Sequence, residues 1–337
     1  MSNPPDKLPM SDEEIAALKG SESFDEGDVL PGGFPVSTEE LTIVKAELAT
    51  SYPEQLNYLT DAYILSVASK PYSKDTSVRR PLEYTIQKLE NLLKWREESG
   101  AVEVFGILEL SRKSVSQARK EGCSDAEYDK AVKLANTLNT NSVYVHGYDV
   151  EGRPVIWLRC NRKPWMIPDV AAEVSLYILV SDFAIAMMPE GVTDFVVVSD
   201  SSSPPPPSPS FLVSTLKGVV KGYPDRLKML HSAPMGSIMT TVMNLLVPLM
   251  PGTLGSKLHL MQEKTEMCAA LAEVLAGGVE DIPTFFGGGC DHDRFYPQEG
   301  IGREQDVEAL GDGVLMFDFA GMRDRQLAMK EAFEEKK

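Results

Sequence analysis

The stretch that decides the fold is YPDRLKMLHSAPMGSIMTTVMNLLVPLMPGTLGSKLHLM, residues 223–261. No charged side chain occurs between Lys228 and Lys257, although a quarter of the residues in the chain are charged. This window is not a transmembrane helix, because three prolines interrupt it and its helical part, 236–250, is shorter than the ~20 residues that a span needs. The sequence therefore predicts a helix that is either buried or in contact with lipid.

This predicted helix carries two adjacent apolar faces. Helical spacing puts one set of residues on one face and a second set beside it. The first set is Ile238, Val242, Leu245, Leu246 and Leu249, and the second is Met239, Met243, Val247 and Met250. A core helix is the commoner explanation for such a segment. The surrounding sequence has to decide between a core helix and one that meets lipid.

Charge and cysteine usage narrow the class of protein. A net charge of −17 over 337 residues argues against a general nucleic-acid binder and against simple electrostatic adhesion to anionic membranes. The four cysteines are widely spaced and form no CxxC motif, so reduced thiols are expected rather than a zinc site. No signal-like or membrane-spanning apolar run is present, which predicts a cytoplasmic protein, and a monomer is expected.

Patterning divides the chain into four segments. They are an acidic, mostly disordered tail (1–38), an N-terminal helical subdomain (39–136), a mixed domain (137–289) and a C-terminal extension (290–337). In the helical subdomain the clearest amphipathic helix is predicted over Pro81–Glu98. In the mixed domain, short apolar runs such as 143–148 and 194–200 alternate with helical stretches. This alternation predicts an α/β fold with a mixed, largely parallel sheet.

Motifs for catalysis are missing from the sequence. It contains no P-loop, no GxSxG nucleophile elbow and no HExxH zinc motif. His231 and His259 fall at alternating positions in apolar strands, which is more typical of core or cavity-wall histidines than of ligands or bases. Cys290–Asp293 lies on an irregular segment, which favours a surface loop over a metal site. The sequence therefore predicts a protein that is not an enzyme, with no catalytic residue, metal site or cofactor.

A proline run, SSSPPPPSPS at Ser201–Ser210, interrupts the predicted sheet region. Such a run favours polyproline II and fits the grooves of SH3- or WW-type domains. The commoner explanation is an exposed, rigid loop that connects a strand to a helix, because no flanking basic or aromatic residue sharpens the motif.

Several motifs, taken in order, resemble the signature of CRAL-TRIO lipid-binding domains, the family of yeast-type phosphatidylinositol/phosphatidylcholine transfer proteins. The matching segments are Asp61–Leu65, Leu93–Arg96, Glu151–Val155, Tyr223–Arg226, Ala233–Pro234, Val247–Leu249, Ser256–Lys257 and Ile282–Gly288. The likeness covers about residues 55 to 289 and rests on several ordered motifs at family-like spacing rather than on one of them.

The resemblance implies an α/β sheet that forms the floor of an apolar pocket for one lipid, closed by a movable helix and preceded by a small all-helical subdomain. The lid residues would be Ile238, Met239, Val242, Met243, Leu245, Leu246 and Leu249. Headgroup binding would fall to Asp225 and Lys257, with Lys70 and Arg79 standing in for the basic cluster of the family's N-terminal helices. Asp225 stands where the family has glutamate, and Leu254 replaces its threonine.

The predicted function is lipid binding and transfer, with phosphatidylinositol favoured and phosphatidylcholine as a further ligand. The protein would exchange its lipid during transient contact with a membrane surface, with no cofactor beyond the bound lipid. Two alternatives stay open. The first is a carrier of a bulky apolar molecule such as a sterol, tocopherol or retinoid, which would be indifferent to substitution of Asp225 and Lys257. The second is a protein-interaction scaffold that recruits partners through the proline run.

Overall fold

A computed structural model of the chain describes residues 33–72, 75–163, 169–203, 214–215, 218–246, 255–291, 317 and 319–336. For residues 76, 219, 238, 242, 245 and 246 the description is limited to the backbone. Most of the predicted tail and much of the predicted C-terminal extension lie outside these ranges, as do seven residues of the proline run, 204–210. By its internal contacts the chain forms two compact units, 1–94 and 95–337.

The first unit is built mainly from helices. They are α1 (Thr38–Ser51), α2 (Asp61–Ala68) and most of α3 (Leu82–Glu98), which confirms the helix predicted over Pro81–Glu98. The Ser37 side chain accepts a hydrogen bond from the Glu40 amide, and the Glu40 carboxylate accepts one from the Ser37 amide. This capping box explains where α1 begins. The core of the unit is formed by Val44, Leu48, Leu59, Tyr63, Ile64, Val67, Leu89, Leu92 and Leu93.

A hairpin makes this unit different from the all-helical subdomain that was predicted. Strands β1 (Pro71–Tyr72) and β2 (Asp75–Arg79) pair in antiparallel fashion. The strands are short, and β2 is polar and largely exposed, so it lacks the apolar alternation that identifies a half-buried strand. The all-helical prediction was wrong here for that reason.

The second unit is organised around a five-stranded sheet, in the order β3-β4-β5-β6-β7. Its strands are β3 (Val143–Tyr148), β4 (Pro154–Arg159), β5 (Phe195–Asp200), β6 (Leu227–Ala233) and β7 (Leu258–Leu260). The first two strands form an antiparallel hairpin, and each later strand is parallel to the one before it. The predicted α/β fold with a mixed, largely parallel sheet is therefore confirmed.

Helices of the second unit flank and connect these strands. They are α4 (Val104–Ser111), α5 (Val115–Lys120), α6 (Asp125–Asn139), α7 (Val170–Ala186), α8 (Ser237–Leu246), α9 (Lys264–Val274) and α10 (Phe319–Glu334). Helix α7 provides the crossover from β4 to β5, and α8 lies in the connection from β6 to β7. Parallel neighbours need such crossovers, because a tight turn cannot join them.

Strand register assigns the side chains of the sheet to two faces. On the first face, Trp157, Val198 and His231 are neighbours in register. The ring centroids of Phe285 and Phe286 lie 6.2 and 5.8 Å from that of Trp157, so the segment that follows α9 covers this face. The neighbouring positions on each strand belong to the second face.

The second face is covered beside β3 by α7 and α10. Tyr148 of β3 donates a hydrogen bond to the carbonyl of Met187, just after α7, at 2.9 Å. Its ring also stacks on that of Phe333 in α10. Buried residues of both helices, including Leu179, Phe183 and Met322, join the core of the unit.

Helix α10 also completes the hydrogen bonding of β3. Gly147 has a φ of 81° and lies where the β3–β4 register shifts. The fully buried amide of Gln326 accepts a hydrogen bond from the Gly147 amide at 3.0 Å and donates one to the Gly147 carbonyl at 3.1 Å. One glutamine side chain thus acts on this strand as a neighbouring strand would.

Replacing Gln326 by leucine is expected to lower the free energy of unfolding by about 2 kcal/mol or more, because both backbone groups of Gly147 lose their partner while buried. Urea denaturation of the full chain measures the loss. Glu331→Gln, an exposed change on the same helix, is the matched control and should stay within about 0.5 kcal/mol of the unaltered protein. Equal effects of the two changes would contradict the proposed role of Gln326.

Candidate functional site

The opening stretch, residues 223–261, forms a turn, strand β6, helix α8 and strand β7 in succession. Strand β6 ends at Ala233, whose peptide bond to Pro234 is cis, and α8 begins at Ser237. The connection therefore leaves the carboxyl end of β6 and returns to the amino end of the parallel strand β7.

The predicted lid residues are described only in part. Met243 is buried and Met239 is half-buried. The backbones of Ile238, Val242, Leu245 and Leu246 belong to α8, but their side chains lie outside what the structure describes, as does all of Leu249. The helix predicted over 236–250 is observed from Ser237 to Leu246, and its role as a lid stays a prediction.

Tyr223, the first residue of the predicted headgroup turn, is anchored in a buried polar network. Its hydroxyl donates to Asp182 Oδ1 at 2.9 Å. The same carboxylate accepts two hydrogen bonds from the Arg96 guanidinium, at 2.9 and 2.8 Å, and both charged side chains are about 95% buried. The Tyr223 ring packs edge-on against Trp95, and a Cβ on Gly222 would collide with that indole. Tyr223 therefore has a structural role.

Arg226, the last residue of that turn, is also buried. Its Nη1 donates to the carbonyl of Thr193 at 2.8 Å, just before β5, so it ties the start of β6 to the neighbouring strand. Asp225 lies between these two anchors with a φ of 62°, a left-handed conformation that aspartate adopts more readily than most residues. Its side chain is half-buried.

Lys257 lies at the same edge of the sheet as Asp225. Its ammonium donates to the carbonyl of Leu227, the first residue of β6, and its own carbonyl accepts from the Leu230 amide at 2.8 Å. Because β6 and β7 are parallel, the two predicted headgroup residues both stand near the amino ends of neighbouring strands.

Lys70 and Arg79, the other predicted headgroup residues, belong to the first unit. Arg79 donates to the carbonyl of Pro35 at 2.8 Å and pairs with the Glu40 carboxylate. Burial alone would raise the pKa of Glu40, but Arg79 and the Ser37 amide lower it. The Arg79 charge is thus already compensated by the protein. Lys70 is half-buried just before β1.

A cluster of hydroxyls and one thiol lies at the carboxyl ends of β4, β5 and β6, on the second face. Cys160 Sγ is 3.6 Å from Ser199 Oγ, Ser199 Oγ is 3.1 Å from Ser201 Oγ, and Ser201 Oγ is 2.6 Å from Ser232 Oγ. We call these four buried residues the hydroxyl cluster. In open α/β sheets, ligands bind outside the carboxyl ends of the parallel strands.

Sequence reasoning missed the hydroxyl cluster, although one signal was available. Each of its members stands within one residue of the end of a strand. Parallel strands bring their carboxyl ends to a common edge, so polar residues at those ends meet where the strands are neighbours in register.

The charged groups beside this cluster pair with one another within the protein. Lys163 pairs with Glu173, and its ammonium lies 5.0 Å from the centroid of the Tyr177 ring. Burial would lower the pKa of Lys163, but Tyr177 and Glu173 raise it. Burial raises the pKa of Tyr177 to about 12 and also raises the pKa of the Cys160 thiol. A protonated, buried thiol is a poor nucleophile, so the cluster is suited to hydrogen bonding rather than to covalent catalysis.

On the first face, Lys264 and Asp200 form a further ion pair. The Lys264 ammonium is 2.9 Å from Asp200 Oδ2 and donates to the carbonyl of Phe285 at 2.7 Å. Asp200, which is fully buried, also accepts from the Ser202 amide at 3.0 Å. This pair joins the carboxyl end of β5 to the start of α9 and to the turn that follows it.

The two histidines that the sequence assigned to the core or a cavity wall are direct neighbours. His231 and His259 are partners in the β6–β7 register, and their Nδ1 atoms lie 3.0 Å apart. Burial, with the neighbouring His259, lowers the pKa of His231 to about 4. The His231 ring is therefore neutral at pH 7.

Comparison with known proteins identifies part of this unit. The family model of the CRAL/TRIO domain matches residues 138–288. The resemblance to CRAL-TRIO domains that was inferred from the motifs is therefore confirmed for residues 138–288. The crystal structure of Sfh5 is similar at a TM-score of 0.45 and 14% sequence identity, over 69% of this chain and 84% of that one. None of the curated proteins compared with the chain matches it.

The residues that the structure describes lack two further kinds of feature. No helix there is both long and apolar enough to cross a membrane. The same residues include no group of three or more His, Cys, Asp or Glu side chains arranged to hold a metal ion.

Replacing Arg96 by leucine is expected to lower the free energy of unfolding by about 3–5 kcal/mol, because Asp182 would keep a buried charge without its cation. Guanidinium denaturation measures the change. The control is Arg119→Ala, which removes an exposed pair with Asp125 and should cost less than about 1 kcal/mol. A small effect at Arg96 would mean that Tyr223 and the rest of the turn are held in place without this ion pair.

Proposed function

Because residues 138–288 form a CRAL-TRIO domain, we propose that this chain is a lipid-binding and transfer protein. In this proposal one lipid lies between the second face of the sheet and α8, and it is exchanged at a membrane surface. The observation that carries the proposal is the uncharged stretch between Lys228 and Lys257, which places an apolar, methionine-rich helix directly after β6 of this domain.

The energetics of an acyl chain favour this arrangement. Each buried methylene contributes ~0.8 kcal/mol, so a chain of about sixteen carbons gains on the order of 10 kcal/mol in an apolar pocket. Release into water would be correspondingly slow. Exchange is faster when α8 opens against a membrane, where lipid solvates the apolar face of the helix. Methionines such as Met239 and Met243 suit such a lid, since their flexible side chains repack at little cost.

Two polar regions can receive headgroups, and they lie at opposite ends of the parallel strands. Asp225 and Lys257 flank the amino end of β6, whereas Ser232 and its hydroxyl-cluster neighbours lie at the carboxyl end. The seven residues of β6 span roughly 20 Å, which is more than one headgroup can bridge. A lipid can therefore use one region or the other, but not both.

We assign the phosphatidylinositol headgroup to the region near the amino ends of β6 and β7. The Lys257 ammonium would pair with the lipid phosphate as a point charge, and the Asp225 carboxylate would accept hydrogen bonds from inositol hydroxyls. Lys70 and Arg79, which belong to the first unit, stay predictions of the motif resemblance, and Arg79 already pairs with Glu40. A phosphatidylcholine phosphate would instead accept hydrogen bonds from the hydroxyl cluster. No catalytic step belongs to this proposal.

The first test is the lipid that accompanies the purified full-length chain. Mass spectrometry of an organic extract should find phosphatidylinositol or phosphatidylcholine in amounts approaching one molecule per chain. Recovery of a sterol, tocopherol or retinoid instead would support the apolar-carrier alternative. If no lipid copurifies and none moves between vesicles, the proposal is wrong, and the interaction scaffold becomes the better explanation.

Lys257→Ala should reduce phosphatidylinositol transfer between vesicles by about tenfold while sparing phosphatidylcholine transfer, since a charge-assisted contact of roughly 1.5 kcal/mol is lost for one headgroup only. Lys228→Ala is the matched control, because this lysine is exposed near the same edge of β6. Equal loss for both lipids would show that Lys257 acts through its hydrogen bond to Leu227 and has a structural role.

A further inference from the structure

The histidine pair on the first face is not used by the proposed lipid site. His231 and His259 stand side by side on parallel strands, away from the hydroxyl cluster on the second face. His231 is 9% exposed and His259 is half-buried at β7, the last strand in the sheet order. Their Nδ1 atoms face each other at 3.0 Å, so one ring donates and the other accepts.

This spacing has the dimensions of a two-nitrogen chelate. With each nitrogen ~2.05 Å from a metal ion, two nitrogens 3.0 Å apart subtend an angle of about 94° at the metal. That angle is close to the 90° between adjacent ligands of a tetragonal site, the geometry typical of Cu²⁺ and Ni²⁺. A tetrahedral Zn²⁺ site would need the nitrogens about 3.35 Å apart, which requires the strands to separate slightly.

We propose that His231 and His259 together bind one divalent transition-metal ion through their Nδ1 atoms, with Cu²⁺ preferred over Ni²⁺ and Zn²⁺. The preference follows from the angle and from the general order of affinities for nitrogen ligands. When both rings are neutral, binding needs no net loss of a proton, because the ring that carried hydrogen on Nδ1 carries it on Nε2 instead. Water supplies the remaining ligands from the β7 side of the sheet.

A bound ion would link β6 to β7, the two strands that the segment containing α8 connects. Strand β7 has only three residues, and His259 is the central one. Cross-linking it to β6 would hold both ends of the connection that contains α8 and would slow its opening. This consequence rests on the proposed lipid function, whereas the metal site itself does not.

The test is titration of the full-length chain with Cu²⁺, followed by electron paramagnetic resonance. We expect one tetragonal Cu²⁺ per chain, with superhyperfine coupling to two equivalent nitrogens. His259→Gln should weaken binding by at least about tenfold, as expected when a group that fixes a metal is removed. His292→Ala removes a histidine outside the pair and should leave the affinity unchanged.

Retained affinity in His259→Gln, or a spectrum that lacks coupling to two nitrogens, would overturn the site. If that variant does not fold, ¹⁵N-labelled histidine in the unaltered protein gives the same answer, because the isotope changes the coupling pattern only when imidazoles bind the metal. Vesicle transfer with and without Cu²⁺ tests the consequence separately. Binding with unchanged transfer would leave the site in place and reject its effect on α8.

Discussion

The buried ion pair between Arg96 and Asp182 is the constraint on which the rest of the second unit depends. Tyr223 completes it, and Arg226 fixes the same turn from its other end, so the chain enters β6 in one register. The register of β6 determines which face of the sheet carries His231 and which carries Ser232. It also determines the point from which the chain leaves the sheet toward α8. Two charges that are expensive to bury thus set the position of an uncharged segment.

Polar groups in this unit fall into two classes. Some are satisfied by the protein itself, as Lys163 is by Glu173 and Lys264 by Asp200. Others bond within a short network of hydroxyls and one thiol, as in the hydroxyl cluster at the carboxyl ends of the strands. Under the proposed function, this distinction separates residues that hold the fold from residues that would recognise a headgroup. By this criterion Lys163 and Lys264 belong to the first class and the serines of the hydroxyl cluster to the second.

Local pattern was enough to predict most of the fold. The amphipathic spacing of α3, the apolar run of β5 and the strand–helix alternation led to the correct α/β sheet, because each depends on residues close together in sequence. The hairpin at 71–79 carried no such pattern. The family motifs identified Asp225 and Lys257 as candidate headgroup residues, and the sheet brings both near the amino ends of β6 and β7. The hydroxyl cluster and the histidine pair depend on register between distant strands, which no local period encodes.

The pairing of Gln326 with Gly147 bears on where this domain ends. The family match stops at residue 288, yet α10 supplies the neighbour of β3 and covers Tyr148 with Phe333. A fragment cut at the family boundary would present the backbone of Gly147 and an apolar surface to water, and unpaired strand edges promote aggregation. The helix beyond the family boundary therefore belongs to the structure of the second unit, and a stable fragment is expected to include it.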